Sequence, residues 1–105
     1  MISIFKNIFR RGSEIDFSEL INTGCIFLDV RSKAEYAAGH VAGSINIPVD
    51  QLEENLYKLK DKSKTIITCC ASGARSASAK NILKLRGYTA VHNGGGWHKL
   101  NRQIK

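Results

Sequence analysis

The chain has 105 residues, of which 43% are hydrophobic and 24% charged, with one proline, three cysteines and a net charge of +7 at pH 7. That length supports one packed core and excludes two, the composition is that of an ordinary soluble globular chain rather than a disordered one, and an odd number of cysteines excludes a closed disulfide framework and fits a reducing, cytoplasmic setting. The basic excess attracts small anions or acidic protein partners, whereas the absence of aromatic residues interleaved among the lysines and arginines argues against a nucleic-acid stripe.

Residues 1–12 read as an N-terminal extension and residues 13–105 as one domain. The opening run from Met1 to Arg11 is apolar but short, broken by Lys6 and followed by no small-residue cleavage site, so it makes a poor signal peptide. Ile2, Phe5 and Phe9 share a helical face expected to pack on the domain rather than on a membrane, and no stretch reaches membrane-spanning length. A very short strand is expected near Glu14 to Asp16. Asp16 with Glu19, Ser32 with Glu35, and Asp50 with Glu53 have capping-box spacing, in which side chain and backbone satisfy each other at a helix start. Between these starts lie short runs with the length and β-branching of strands: Cys25 to Val30, Ser44 to Ile47, Thr65 to Cys69 and Thr89 to His92. A later helix places Ala79, Ile82, Leu83 and Arg86 along one side, turns Lys80 and Lys84 to water, and stops at Gly87. Strands alternating with helices predict an α/β fold with a largely parallel sheet covered on both faces, whose ligands bind outside the carboxyl ends of the strands.

The chemistry is expected at one such end, in Cys70-Ala71-Ser72-Gly73-Ala74-Arg75-Ser76. A cysteine between a strand and a helix start meets backbone N–H groups and the positive end of the helix dipole, which favour an anion and the nucleophilic thiolate. Gly73 and the two alanines leave room for a tight ring of amides, and Arg75 adds a fixed charge suited to oxyanions. Ser72 and Ser76 are candidate hydroxyl donors to a bound anion, with helix capping the other use for Ser76. Asp29 and Arg31 end a neighbouring strand, where they either orient the loop and help bind the donor or brace the fold as an ion pair. His40 is expected as a hydrogen-bonded structural residue in a turn and Trp97 as a packing anchor near the rim. His92 and His98 have no partners at metal-ligand spacing, so neither a metal nor a cofactor is expected.

Leu28-Asp29-Val30-Arg31, Glu35-Tyr36 and Gly39-His40-Val41-Ala42-Gly43-Ser44-Ile45-Asn46-Ile47-Pro48, followed by Cys70 to Ser76 and then Val91 with Asn93-Gly94-Gly95-Gly96-Trp97, resemble the rhodanese family of sulfurtransferases in residue type and order. The resemblance runs from about Ile15 to Trp97. It implies a central five-stranded parallel sheet and a thiosulfate-type reaction in which Cys70 accepts a sulfane sulfur from a small anionic donor as a persulfide and passes it to cyanide or a thiol. Carried over by position, the backbone of Ala71, Ser72, Gly73, Ala74 and Arg75 is the substrate-binding cradle, and the Arg75 side chain completes an electrostatic cage.

Cys69 and Cys70 leave two loops to weigh, because Cys69 to Arg75 has the C-x5-R spacing of cysteine phosphatases and Cys70 to Arg75 the shorter C-x4-R spacing of sulfurtransferases. Gly73, three residues after Cys70, favours Cys70 as nucleophile and makes Cys69 the last strand residue. Beside the enzyme stand two other readings: a persulfide carrier serving an acidic or thiol-bearing protein partner, and a noncatalytic binding domain.

Overall fold

The computed structural model describes residues 17–22 and 24–104. In chain order it contains α1 (Phe17–Asn22), β1 (Cys25–Asp29), α2 (Lys33–Ala38), β2 (Ile45–Asn46), two 3-10 turns (Val49–Gln51 and Glu53–Lys58), β3 (Thr65–Cys70), α3 (Ala74–Leu85), β4 (Val91–Gly96) and α4 (Trp97–Gln103). The strands form one sheet in the order β2-β1-β3-β4, and every neighbouring pair is parallel. The sheet thus has four strands among the described residues; the fifth expected strand, the Asp16 capping box and the apolar face of the N-terminal extension lie outside them.

Adjacent strand residues point to opposite faces, and this alternation sorts the core. Ile66, Thr68 and Cys70 turn toward α3, where Ala79 and Leu83 are buried with Leu28, Val30 and Val91. Ile67 and Cys69 turn the other way, onto Val41, Leu100 and the half-buried Trp97. Helices therefore cover both faces, and the two neighbouring cysteines belong to different cores.

Ser32 and Glu35 form the expected reciprocal cap on α2, with the Glu35 N–H donating to Ser32 Oγ at 3.2 Å and the Ser32 N–H to Glu35 Oε1 at 3.0 Å. The cap expected from Asp50 and Glu53 does not form. The first 3-10 turn follows Pro48 without a side-chain cap, and Glu53 pairs instead with Arg86 at 2.5 Å. That pairing also turns Arg86 outward, leaving Ser76, Ala79 and Leu83 as the buried residues of α3. Gly87, at φ 95°, ends the helix as expected: its N–H reaches the Lys84 carbonyl and the Tyr88 N–H the Leu83 carbonyl, the paired bonds of a left-handed helix stop.

All four strands differ from expectation at their ends: β1 stops one residue earlier, at Asp29, and β2 keeps only Ile45 and Asn46. β3 runs one residue further, because Cys70 pairs with Gly96 across an irregularity in the ladder. β4 begins at Val91, since the Thr89 N–H donates to the Lys62 carbonyl outside the ladder, and extends through three glycines beyond the expected strand. Side chains would prevent that extension: a Cβ on Gly94 would stand 2.8 Å from Ile67 Cγ2 and 2.9 Å from the Thr68 carbonyl oxygen.

Candidate active site

The parallel sheet delivers the ends of β1, β3 and β4 to one rim, and β3 delivers Cys70 there on the face that carries α3. The chain then turns through Ala71, Ser72 and Gly73 into the helix. Gly73 sits at φ 108°, in left-handed territory where an L side chain is strained, and its carbonyl accepts the first α3 bond from the Ala77 N–H at 3.0 Å. This turn directs the Gly73 N–H at Cys70 Sγ, 3.0 Å away, and the first helical turn brings the Ser76 N–H to 3.3 Å. The Ser76 hydroxyl oxygen lies 3.5 Å from the same sulfur.

Burial alone would push the Cys70 thiol up, but hydrogen bonds outweigh it. The contact with the Ser76 side chain and the bond from its N–H come first, then those from the Gly73 and Ser72 N–H groups, and the net effect lowers the pKa below the ordinary 9.0. The sulfur is also well covered. Cys70 is 1% exposed, while Ala71 and Ser72 form an exposed lip above it. Cys69 is shifted the other way: it is fully buried on the opposite face, and desolvation pushes its thiol up to about 12. The strand alternation therefore turns Cys69, which opens the C-x5-R spacing, away from the loop between β3 and α3.

Arg75 departs from expectation. Its guanidinium lies along Glu35 in a two-bond pair, Nη1 to Oε1 at 2.8 Å and Nη2 to Oε2 at 3.0 Å, rather than standing free over the sulfur. The Arg75 bond is the main reason the Glu35 carboxyl is held at about 2, with the Ser32 cap adding to it. The positive character of the cradle thus comes chiefly from backbone amides. A groove of about 450 Å³ bounded by Lys33, Val49, Asp50 and Arg75 opens beside this pair without including Cys70.

Asp29 and Arg31 take the bracing alternative. Asp29 is fully buried and accepts from Arg31 Nε at 2.9 and 3.0 Å and from Nη2 at 2.6 Å; Nη2 also donates to the Gly39 carbonyl at 2.7 Å, and the guanidinium lies 4.7 Å from the Trp97 ring centre. Trp97 is the packing anchor it was expected to be. His40 stacks on Tyr36 at 3.7 Å and bonds the Tyr36 carbonyl through Nδ1, a structural arrangement. Ser76 is not the cap of α3, a place taken by Gly73; it is the third helical residue, fully buried against the sulfur.

Sequence reasoning missed Glu35 in this neighbourhood and gave Asn93, whose segment follows a strand ending at the same rim, no role in it. Glu35 was legible as a helix cap but not as the partner of an arginine 40 positions away. Asn93 donates from Nδ2 to the Gly73 carbonyl at 3.3 Å, and its Oδ1 receives the Ser76 hydroxyl at 2.6 Å and the Gly95 N–H at 2.9 Å. The available signal was an asparagine, depleted in strands, at the end of an apolar run and just before the glycines.

A rhodanese-like domain profile matches residues 13–103. The chain is 41% identical over 71 residues to the thiosulfate sulfurtransferase PspE of Escherichia coli, covering 67% of this chain and 68% of that protein. It is 32% identical over 80 residues to a putative sulfur carrier protein of Bacillus subtilis, covering 76% of this chain and 40% of that one. Among solved structures, an E. coli rhodanese with anions is similar at TM-score 0.65 and 40% identity, over 69% of this chain and 86% of that one. A human single-domain sulfurtransferase is similar at TM-score 0.73 and 27% identity, over 86% and 92% respectively.

Proposed function

The chain belongs to the rhodanese-like domain family, and from that premise we propose that it is a sulfurtransferase that carries a sulfane sulfur on Cys70 as a persulfide. The observation that carries this reading is the convergence of the Gly73 and Ser76 N–H groups on one sulfur at 3.0 and 3.3 Å, at the start of a helix. Thiosulfate, named in the PspE relative, is the donor.

In the first half-reaction the Cys70 thiolate attacks the outer sulfur of thiosulfate. A bond from Sγ to that sulfur forms as its bond to the sulfonate sulfur breaks, and sulfite leaves with the electron pair, needing no general acid. The terminal sulfur of the persulfide carries the negative charge and meets the amides of Ala71 to Arg75; those of Ala74 and Arg75, in the first helical turn, have no intrahelical carbonyl to bond. Cyanide or a thiolate then attacks the outer sulfur, and Cys70 departs as a thiolate, ready for the next cycle. A reducing compartment such as the cytoplasm keeps that thiolate available; among the described residues no helix is long and apolar enough to cross a membrane.

A second reading, a persulfide carrier for an acidic or thiol-bearing protein, draws on the similarity to the putative sulfur carrier protein and on the exposed lip at Ala71 and Ser72. Intact-mass measurement after thiosulfate exposure tests the central claim. The wild-type chain is expected to gain one sulfur atom that cyanide removes, and Cys70→Ser to gain none; sulfur uptake by Cys70→Ser would overturn the assignment. Mixed disulfides trapped on Cys70 with one particular protein would favour the carrier.

A further inference from the structure

The side-chain amide of Asn93 is fixed by partners that each allow one reading. The Gly95 N–H can only donate, so the atom it meets at 2.9 Å is the amide oxygen; the Gly73 carbonyl can only accept, so the atom 3.3 Å from it is the amide nitrogen. In the 2.6 Å contact between Ser76 and Asn93 Oδ1 the Ser76 hydroxyl is therefore the donor, and the Gly73 carbonyl, 3.0 Å from the same hydroxyl oxygen, is its longer second acceptor. A serine has one hydroxyl proton. While Asn93 holds it, a lone pair of Ser76 Oγ faces Cys70 Sγ at 3.5 Å. That arrangement accepts a bond from a thiol S–H and repels a thiolate.

We propose that Asn93 is a positioning residue that controls Cys70 ionisation by competing with the sulfur for the Ser76 hydroxyl proton. In the resting thiol the chain runs from the Cys70 S–H to Ser76 Oγ and from the Ser76 O–H to Asn93 Oδ1. On ionisation the Cys70 proton goes to water, and the Ser76 hydroxyl, keeping its own proton, turns from Asn93 to the sulfur. The backbone amides of Gly73 and Ser76 favour the thiolate throughout; Asn93 opposes them until the hydroxyl rotates. A charged acceptor binds a hydroxyl more strongly than a neutral amide oxygen, so the turn completes once the thiolate exists.

Other charged groups around Cys70 are already engaged or neutral. Arg75 on α3 pairs with Glu35 on α2, Arg31 with Asp29 at the end of β1, and Glu53 with Arg86. Cys69 stays a thiol, and His92 on β4 is kept neutral by burial and by Lys80 and Lys84. Asp50 lines the adjoining groove with Arg75. None of these touches the sulfur, which leaves the Ser76 proton as the adjustable element.

The inference deepens the sulfurtransferase reading, yet its test needs no sulfur donor. The pH midpoint for capture of Cys70 by iodoacetamide, read by peptide mass spectrometry, is expected to fall in Asn93→Ala by up to about 1 pH unit, the size of one neutral hydrogen bond, because only the longer acceptor at the Gly73 carbonyl is left to compete with the sulfur. Asn93→Ser, too short to reach Ser76, is expected to behave alike. In a Ser76→Ala background, where no proton is contested, the same substitutions should leave the midpoint unmoved. An unchanged or raised midpoint in both Asn93 variants, or an equal fall without Ser76, would overturn the proposal, as would failure of both to fold, which would make Asn93 architectural. Sulfur loading of the wild-type chain from thiosulfate is scored separately, so a failure of the enzymatic reading is told apart from a failure of this one.

Discussion

The Glu35 carboxylate and the Arg75 guanidinium lie edge to edge, joined by bonds of 2.8 and 3.0 Å, so the cation of the cysteine loop faces the cap of α2. Freeing that cation should strengthen the attraction of the loop for a divalent anion. Glu35→Gln keeps a side chain able to cap α2 while removing the charge, and the KM for thiosulfate is expected to fall roughly two- to fivefold at low salt, with the difference shrinking at high ionic strength. An unchanged KM at low salt would show that the ion pair has no bearing on donor binding.

The same pair sets an acid limit. Because Glu35 is held at about 2 in the folded chain against 4.5 unperturbed, its stabilisation is complete above about 4.5 and is lost as pH falls toward 2. The thermal midpoints of wild type and Glu35→Gln should therefore differ most above pH 5 and converge near pH 2. A gap that widens on acidification would contradict the sign.

Breaking the buried pair at the end of β1 should cost far more. Arg31→Ala leaves the Asp29 carboxylate without a cation at 0% exposure, with only the backbone N–H of residue 31 still donating to it, and also removes the bond to the Gly39 carbonyl and the contact with Trp97. Loss of one partner from such a pair costs about 3–5 kcal/mol, and Arg31→Lys should recover little because an ammonium cannot reproduce the two-pronged geometry. Denaturant unfolding measures this. A loss below about 1 kcal/mol in Arg31→Ala would mean that the pair is dispensable to the fold.

What the sequence made legible was mostly local. The alternation of elements, the Ser32 cap, the Gly87 stop and the placement of Cys70 between strand and helix all depend on spacings of a few residues. What it hid was set by distant contacts. Glu53 satisfies the spacing of a cap but is drawn to Arg86, and Glu35 reaches Arg75, neither of which a local pattern records. The glycines after Asn93 read as a loop because β-propensity depletes glycine, whereas here the absence of side chains is what lets β4 lie against Thr68 and Leu100. The opposite faces of Cys69 and Cys70 were within reach, since strand alternation alone separates neighbours.

Those glycines make two distinguishable predictions. An alanine Cβ at Gly94 would meet Ile67 Cγ2 at 2.8 Å and Leu100 Cδ2 at 3.1 Å, so Gly94→Ala should destabilise the chain by about 1–3 kcal/mol through overpacking. At Gly96 the obstacle is the Ala71 carbonyl oxygen, at 2.9 Å, on the loop that carries the cradle. Gly96→Ala should therefore slow sulfur loading on the order of tenfold or more in protein that is still folded. Equal loading by Gly96→Ala and wild type would show that the loop tolerates the shift.

The three cysteines should differ in reactivity in an order that exposure alone does not give. Cys25 is more accessible than Cys70, but its thiol is pushed up by burial, with Lys64 only partly offsetting this, whereas that of Cys70 is drawn down by its hydrogen bonds. At pH 7 a small reagent such as iodoacetamide should accordingly label Cys70 first, Cys25 more slowly and Cys69 last, because the thiolate is the reacting form. Coverage by the lip at Ala71 and Ser72 should reverse the first two for a bulky maleimide, which the 1% exposure of Cys70 excludes. Labelling of Cys70 by both reagents at equal rates would mean that the loop opens freely, and labelling of Cys69 ahead of Cys70 would remove the nucleophile from the place that the strand alternation gives it.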